Sequence, residues 1–159
     1  MVGKKTTRYE LDNSSPGLKL WQTTVTWQNM LKPALKKHGL KHSQFVVLAV
    51  LLFLEECKLP STQSDVVDMS KLGKMQISKL VSVLQDKGFI EKSDNSDDKR
   101  TKLIKLTEEG RQTAMSAVVA IENIDEKFFG RVNETDRYYF TEIADRLVSK
   151  KPGPAWSKG

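Results

Sequence analysis

Cysteine is nearly absent. Cys57 is the one thiol in 159 residues, which excludes an intrachain disulfide framework and a multi-cysteine zinc or iron–sulfur site. Histidine is scarce too: His38 and His42 are the two present, and no carboxylate flanks them at helical spacing, so neither a metal site nor any other cofactor is expected. Long apolar runs are missing. The longest, Phe45 to Leu54 (FVVLAVLLFL), has ten residues, about half of what a membrane span needs, and reads as a buried core helix; no membrane partner is expected. The first residues (MVGKKTTRYELDNSSPG) are polar and contain no apolar signal core, so no secretory leader is expected. Together with the lone thiol this points to a reducing, cytoplasmic setting. Cys57 follows Glu55 and Glu56 near an expected helix end, so it reads as an inert thiol rather than a redox sensor. No nucleophile motif, phosphate-cradling glycine loop or zinc-hydrolase pattern occurs, and catalysis is not expected. There is no internal repeat.

What the chain does have is a modest basic excess, a formal charge of +6. That permits nucleic acid, anionic membrane or acidic partners without choosing among them. Its placement says more. Residues 1–41 hold eight basic and two acidic side chains; residues 42–70 hold one and four. Residues 71–111 hold ten and seven, and residues 112–159 seven of each. The excess therefore belongs to the N-terminal stretch and one internal segment.

Helix signals dominate. Residues 1–15 read as a flexible arm. Ser14 or Ser15 then caps a helix with Pro16 in its first turn, and Pro33 is expected to kink or divide it before the stop at His38-Gly39. A second helix is expected from Ser43, its cap, to Glu56. Thr62-Gln63-Ser64-Asp65 is a capping box for a short helix to Asp68. A further helix spans about Lys74 to Asp86, with Ile77, Leu80, Val81 and Leu84 as a narrow apolar seam. After Gly88 the period changes to that of strands. Phe89–Lys92 and Lys102–Leu106 bracket a polar, turn-rich loop suited to a hairpin. Thr107 caps a long helix to about Phe129, another covers about 134–149, and residues 151–159 read as a disordered tail.

Two short helices followed directly by a hairpin make a winged helix-turn-helix. The second helix of such a pair enters the major groove, with an apolar back and a small, polar and basic front. Here that front is Lys74, Met75, Gln76, Ser78, Lys79 and Ser82. All of these except Met75 are candidate DNA contacts, joined at the hairpin tip by Lys99, Arg100 and Lys102, which can reach phosphates or a narrow minor groove. Asp98 reads either as orienting Arg100 through a charge-assisted hydrogen bond or as capping the wing turn; the two are compatible.

These residues carry a family resemblance. Asp98-Lys99-Arg100, five residues, then Leu106-Thr107-Glu108-Glu109-Gly110 resembles the D-x-R-x5-L-T-x-x-G wing signature of MarR-type (multiple antibiotic resistance regulator) transcription factors. Ile77-Ser78, Leu84 and Gly88-Phe89-Ile90 resemble that family's recognition helix and its exit. Gly39-Leu40, Gln44-Phe45 and Leu48 resemble its first helix junction. The resemblance covers about residues 16–149. Val67, where the family usually has alanine, and the three aspartates Asp94, Asp97 and Asp98 at the wing are departures from its pattern.

The resemblance implies a mainly α fold with a small β-hairpin, as one domain over residues 16–150. The winged helix-turn-helix would span about 42–107, flanked by dimerisation helices over about 16–38 and 108–149. It also implies a homodimer binding pseudo-palindromic double-stranded DNA as a transcriptional regulator, most simply a repressor. Leu18, Trp21, Phe128, Phe129, Val132, Tyr138, Tyr139, Phe140, Ile143 and Leu147 would form the dimer contact, which agrees with the concentration of aromatics at both chain ends. A small aromatic or phenolic effector is a further implied partner, with Trp21, Trp27 and Met30 as either pocket lining or core. The competing reading is a winged helix that binds a basic protein through its acidic wing tip.

Overall fold

The computed structural model describes residues 15–149; of the arm expected over residues 1–15 all but Ser15 lies outside them, as does the tail expected over 151–159. The elements in order are α1 (Pro16–Lys37), α2 (His42–Glu56), α3 (Gln63–Ser70), α4 (Lys74–Asp86), β1 (Ile90–Asp94), β2 (Lys102–Leu106), α5 (Glu108–Phe129) and α6 (Glu134–Val148). This is the mainly α winged helix fold that the sequence leads one to expect. The chain divides into two compact units, Met1–Ile124 and Asp125–Gly159, with the boundary inside α5.

In the first unit α1 starts on Ser15, whose hydroxyl accepts the Leu18 N–H at 3.3 Å, with Pro16 in its first turn. Pro33 does not divide the helix, which continues to Lys37. Gly39 closes it with a φ of 66°, a left-handed value that an L side chain resists. The start of α2 differs from expectation. Lys41, not Ser43, holds the cap position, and the buried Gln44 side chain reaches back to accept the Lys41 N–H at 3.0 Å. A glutamine at the third helical position thus satisfies the cap residue's own N–H, the return half of a capping box.

α2 is the core's centre. Phe45, Val47, Leu48, Leu51, Leu52 and Leu54 are all buried, against Leu31 and Leu35 of α1 and Ile77, Val81 and Leu84 of α4. Nearly continuous apolar sequence is what a helix covered on most sides requires. Both histidines are used in this packing. His38 Nδ1 lies 2.8 Å from the Ala34 carbonyl and its Nε2 3.0 Å from the Ser116 hydroxyl, while the His42 ring meets Trp27 edge-on at 5.1 Å.

The ends of α2 and α5 are joined by a bidentate ion pair. Arg111 Nε and Nη2 donate to the two carboxylate oxygens of Glu55 at 2.6 and 3.0 Å, and its Nη1 donates to Glu108 at 2.6 Å. The Gln112 amide and the Arg111 charge hold the Glu108 carboxyl below its ordinary value. The glutamate carboxylates also hold the Arg111 guanidinium charged. The pair is only partly shielded from water, so its contribution is modest. Glu55→Gln is expected to lower the urea midpoint only slightly, and an unchanged midpoint would show that the pair adds nothing to stability.

The second unit holds the end of α5 and α6. Asn133 caps α6 by accepting the Asp136 N–H at 2.8 Å. Arg137 ties it to the α5 terminus, donating to the Phe129 carbonyl at 3.1 Å and to Glu126 at 3.2 Å. No residue of α6 is buried.

Candidate nucleic-acid interface

α3 and α4 form the helix-turn-helix. Thr62 and Asp65 cap α3 reciprocally, Thr62 N–H donating to the Asp65 carboxylate at 2.8 Å and the Asp65 N–H to the Thr62 hydroxyl at 3.3 Å. α3 runs to Ser70, two residues beyond the expected end. The turn that follows is correspondingly tight. Lys71 takes a φ of 62°, its N–H donates to the Val67 carbonyl, and the Leu72 N–H donates to the Ser70 hydroxyl at 3.2 Å.

α4 then presents two unlike faces. Ile77, Val81 and Leu84 are fully buried and fasten it to the core. Lys74, Met75, Gln76, Ser78, Lys79 and Ser82 are all exposed. Its cap residue, Gly73, offers no side-chain acceptor, so the first-turn N–H groups add partial positive charge beside Lys74.

The wing is an antiparallel pair with Ile90 opposite Leu106, Lys92 opposite Ile104 and Asp94 opposite Lys102. Ile90, Ile104 and Leu106 point into the core. A short third edge, absent from the sequence pattern, supports it. Thr62 bridges to Leu103, the Ile104 N–H donates to the Ser61 carbonyl at 2.7 Å, and the Ser61 hydroxyl donates to the Ile104 carbonyl. The pairing pins the wing to the start of α3.

At the tip, Asp98 makes two hydrogen bonds to Arg100. Its Oδ1 accepts the Arg100 backbone N–H at 3.0 Å and the Arg100 Nε–H at 3.3 Å. One carboxylate oxygen thus caps the turn and holds the guanidinium stem. The Arg100 side chain is nonetheless 91% exposed, so its outer nitrogens face solvent. Thr101 closes the turn, its N–H donating to the Asp98 carbonyl at 3.1 Å, while the Asn95 amide donates to the Thr101 hydroxyl at 3.0 Å. Lys102 differs from Arg100: its ammonium is paired with the cross-strand Asp94, whose carboxyl it holds below the ordinary value. The acidic residues of the wing are therefore partly spent on positioning its own cations.

The base of the wing explains the motif glycine, a constraint the sequence marks but does not account for. The Thr107 N–H donates to the Phe89 carbonyl at 3.0 Å and its hydroxyl to the Gly88 carbonyl at 2.6 Å. The same hydroxyl accepts the Gly110 N–H at 3.0 Å. α5 thereby starts directly against the exit of α4. A Cβ at Gly110 would fall onto the Phe89 carbonyl, 2.7 Å from its carbon and 2.9 Å from the Phe89 Cα.

The other sequence-singled residues belong to other elements. Leu18 and Trp21 are exposed on α1, and Tyr138, Tyr139, Phe140, Ile143 and Leu147 on α6, with Val132 exposed just before it. Phe128 and Phe129 are half-buried and stack edge to face at 5.1 Å. Trp27 packs partly buried against the core. Cys57 is exposed at the end of α2. Among the described residues no helix is long and apolar enough to cross a membrane.

A hairpin wing clasped between the second helix of a helix-turn-helix and a long following helix makes this a winged helix-turn-helix fold. Comparison with known proteins agrees. A family model described as transcriptional regulator SarA/Rot matches residues 29–116. The HTH-type transcriptional regulator YdcH of Bacillus subtilis is 36% identical over 126 residues, covering 79% of this chain and 86% of the relative. Of solved structures, CouR from Rhodococcus jostii RHA1, bound to p-coumaroyl-CoA, superposes with a TM-score of 0.74 at 21% identity, covering 89% of this chain and 96% of that one. A mutant MarR from E. coli complexed with operator DNA superposes with a TM-score of 0.73 at 16% identity, covering 84% and 93%. The chain belongs to the SarA/Rot family of transcriptional regulators, a non-enzymatic class.

Proposed function

We propose that this regulator is a homodimeric repressor that binds a pseudo-palindromic operator, each α4 in a major groove and each Arg100 in the flanking minor groove or on its phosphates. The observation that carries the reading is the pairing of one exposed small-polar and basic helix face with a wing whose arginine is held at its stem and open at its tip. Lys74, Gln76, Ser78, Lys79 and Ser82 serve as groove and phosphate contacts from α4; Lys99 and Arg100 serve from the wing. Lys102 is the weaker contact of the set, because Asp94 already neutralises it. The dimer is supported by the ends of the chain. Trp21 is 67% exposed and Leu147 76%, a degree of apolar exposure that a second copy would cover. The structure of E. coli MarR with operator DNA supports DNA as the partner, and CouR with p-coumaroyl-CoA supports control by a small molecule.

Selection from a random duplex library tests the reading directly. The expected product is a two-fold symmetric site with half-site centres about 10 bp apart. Recovery of no site overturns it and favours the protein-binding wing. Sedimentation is expected to show a dimer; a stable, folded monomer of 18.0 kDa overturns the symmetric assembly.

A further inference from the structure

Backbone pairing in the wing stops at Asp94 and Lys102, which leaves residues 95–101 as the loop that carries Arg100. Exposure within this loop is divided. Asn95, Asp98 and Thr101 are half-buried, while Ser96, Asp97, Lys99 and Arg100 are exposed. The three half-buried residues are joined to one another. The Asn95 amide donates to the Thr101 hydroxyl at 3.0 Å, and that hydroxyl donates in turn to the Asp98 carbonyl at 3.2 Å. The same carbonyl accepts the Thr101 N–H at 3.1 Å. On its other side, the Asn95 carbonyl oxygen accepts the Asp97 N–H at 3.1 Å.

Side chains thus add one rung to the ladder beyond its last backbone pair. Asparagine is frequent in turns partly because it tolerates left-handed backbone, but Asn95 is not among the residues of positive φ. What it contributes is an amide group with a donor and an acceptor, both of them used. Thr101 likewise uses its hydroxyl in both directions. Between them these two uncharged residues fix the Asp98 backbone, and Asp98 Oδ1 holds the Arg100 N–H and Nε–H.

We propose that Asn95 and Thr101 are positioning residues for the Arg100 guanidinium: their hydrogen bond latches the loop, sets Asp98, and so fixes the direction of the arginine stem before DNA arrives. The inference rests on the DNA-binding reading of the wing given above. A long side chain loses rotamer freedom when an interface immobilises it, and a stem held in advance leaves less of that loss to be incurred on binding. The latch strengthens binding without adding charge. Its removal therefore weakens binding while leaving the number of neutralised phosphates, and with it the salt slope, as it was.

The test uses the full-length protein and three substitutions. Thr101→Val keeps the shape and loses the hydroxyl, Thr101→Ser keeps the hydroxyl, and Asn95→Ala removes the amide. In ¹⁵N spectra without DNA, the heteronuclear NOE of the Arg100 Nε–H is expected to fall in Thr101→Val and Asn95→Ala and to keep its parental value in Thr101→Ser. On the duplex recovered by selection, Thr101→Val and Asn95→Ala are each expected to weaken binding about 3- to 10-fold with the salt slope nearly unchanged, and serine is expected to restore most of the loss at 101. In an Arg100→Ala background the same substitutions are expected to have no further effect, the non-additivity of residues that act through one another. A parental NOE in both Thr101→Val and Asn95→Ala would overturn the latch. So would a loss of affinity that persists without Arg100, a salt slope that falls together with the affinity, or a serine variant as weak as valine. Recovery of no duplex, or parental affinity and slope in Arg100→Ala itself, would overturn the DNA-binding reading on which the latch depends, a failure that the DNA-free spectra tell apart from a missing latch.

Discussion

Gly110→Ala is expected to lower the unfolding free energy by about 2–3 kcal/mol, a large loss for adding one methyl group. The reason is what the methyl meets. It would land on the Phe89 backbone, and backbone cannot rotate aside as a side chain can. The Phe89 carbonyl is also already engaged by the Thr107 N–H at 3.0 Å, so moving it breaks the bond that starts α5. Gly110 is helical rather than left-handed, so the constraint is space and not backbone freedom; alanine would be favoured there in an open helix. Urea unfolding of the two proteins decides the matter: a midpoint equal to or above that of the parent would show that α5 shifts freely from Phe89. Gly73 is the control, since a Cβ there meets nothing within 4 Å, and Gly73→Ala is expected to cost far less.

Arg100→Ala is expected to weaken operator binding by about 1–3 kcal/mol per wing and to reduce the salt slope by up to about one unit per wing. The loss follows from an exposed guanidinium on a stem fixed by Asp98. Asp98→Asn separates holding from charge. It keeps a turn acceptor for the Arg100 N–H but weakens the bond to Nε, so binding is expected to fall by less than in Arg100→Ala, with the salt slope nearly intact. Lys102→Ala is expected to have a smaller effect than Arg100→Ala, because its ammonium is paired with Asp94. Fluorescence anisotropy at several salt concentrations reads all three; an Arg100→Ala variant with parental affinity and slope would remove the wing from the interface.

Much of this was legible in the residues. The bounds of α4 and β2 emerge from the sequence as observed, because an apolar seam at helical spacing and an alternating strand leave few alternatives. The Thr62 capping box is likewise a local signal that holds. What was not legible depends on partners distant in sequence. The start of α2 is shifted because Gln44, a residue with weak cap preference, finds the Lys41 N–H once α2 is buried. The third edge at Ser61 and Thr62 pairs with strand residues some forty positions later, which no local pattern marks. Pro33 remains inside α1, where flanking turns outweigh one lost hydrogen bond. At the wing, Asp94, Asp97 and Asp98 looked like charge opposed to DNA. Two of the three turn out to hold cations in place, a distinction that depends on side-chain geometry and not on composition.

The clasp at Thr107 has a mechanical consequence. The Gly88 and Phe89 carbonyls that it holds follow α4 directly and precede β1 directly, so groove helix and wing share one pivot on the first turn of α5. An angular displacement of that turn is therefore expected to carry both together. On the DNA-binding reading proposed above, helix and wing would then leave a half-site in one step rather than one after the other.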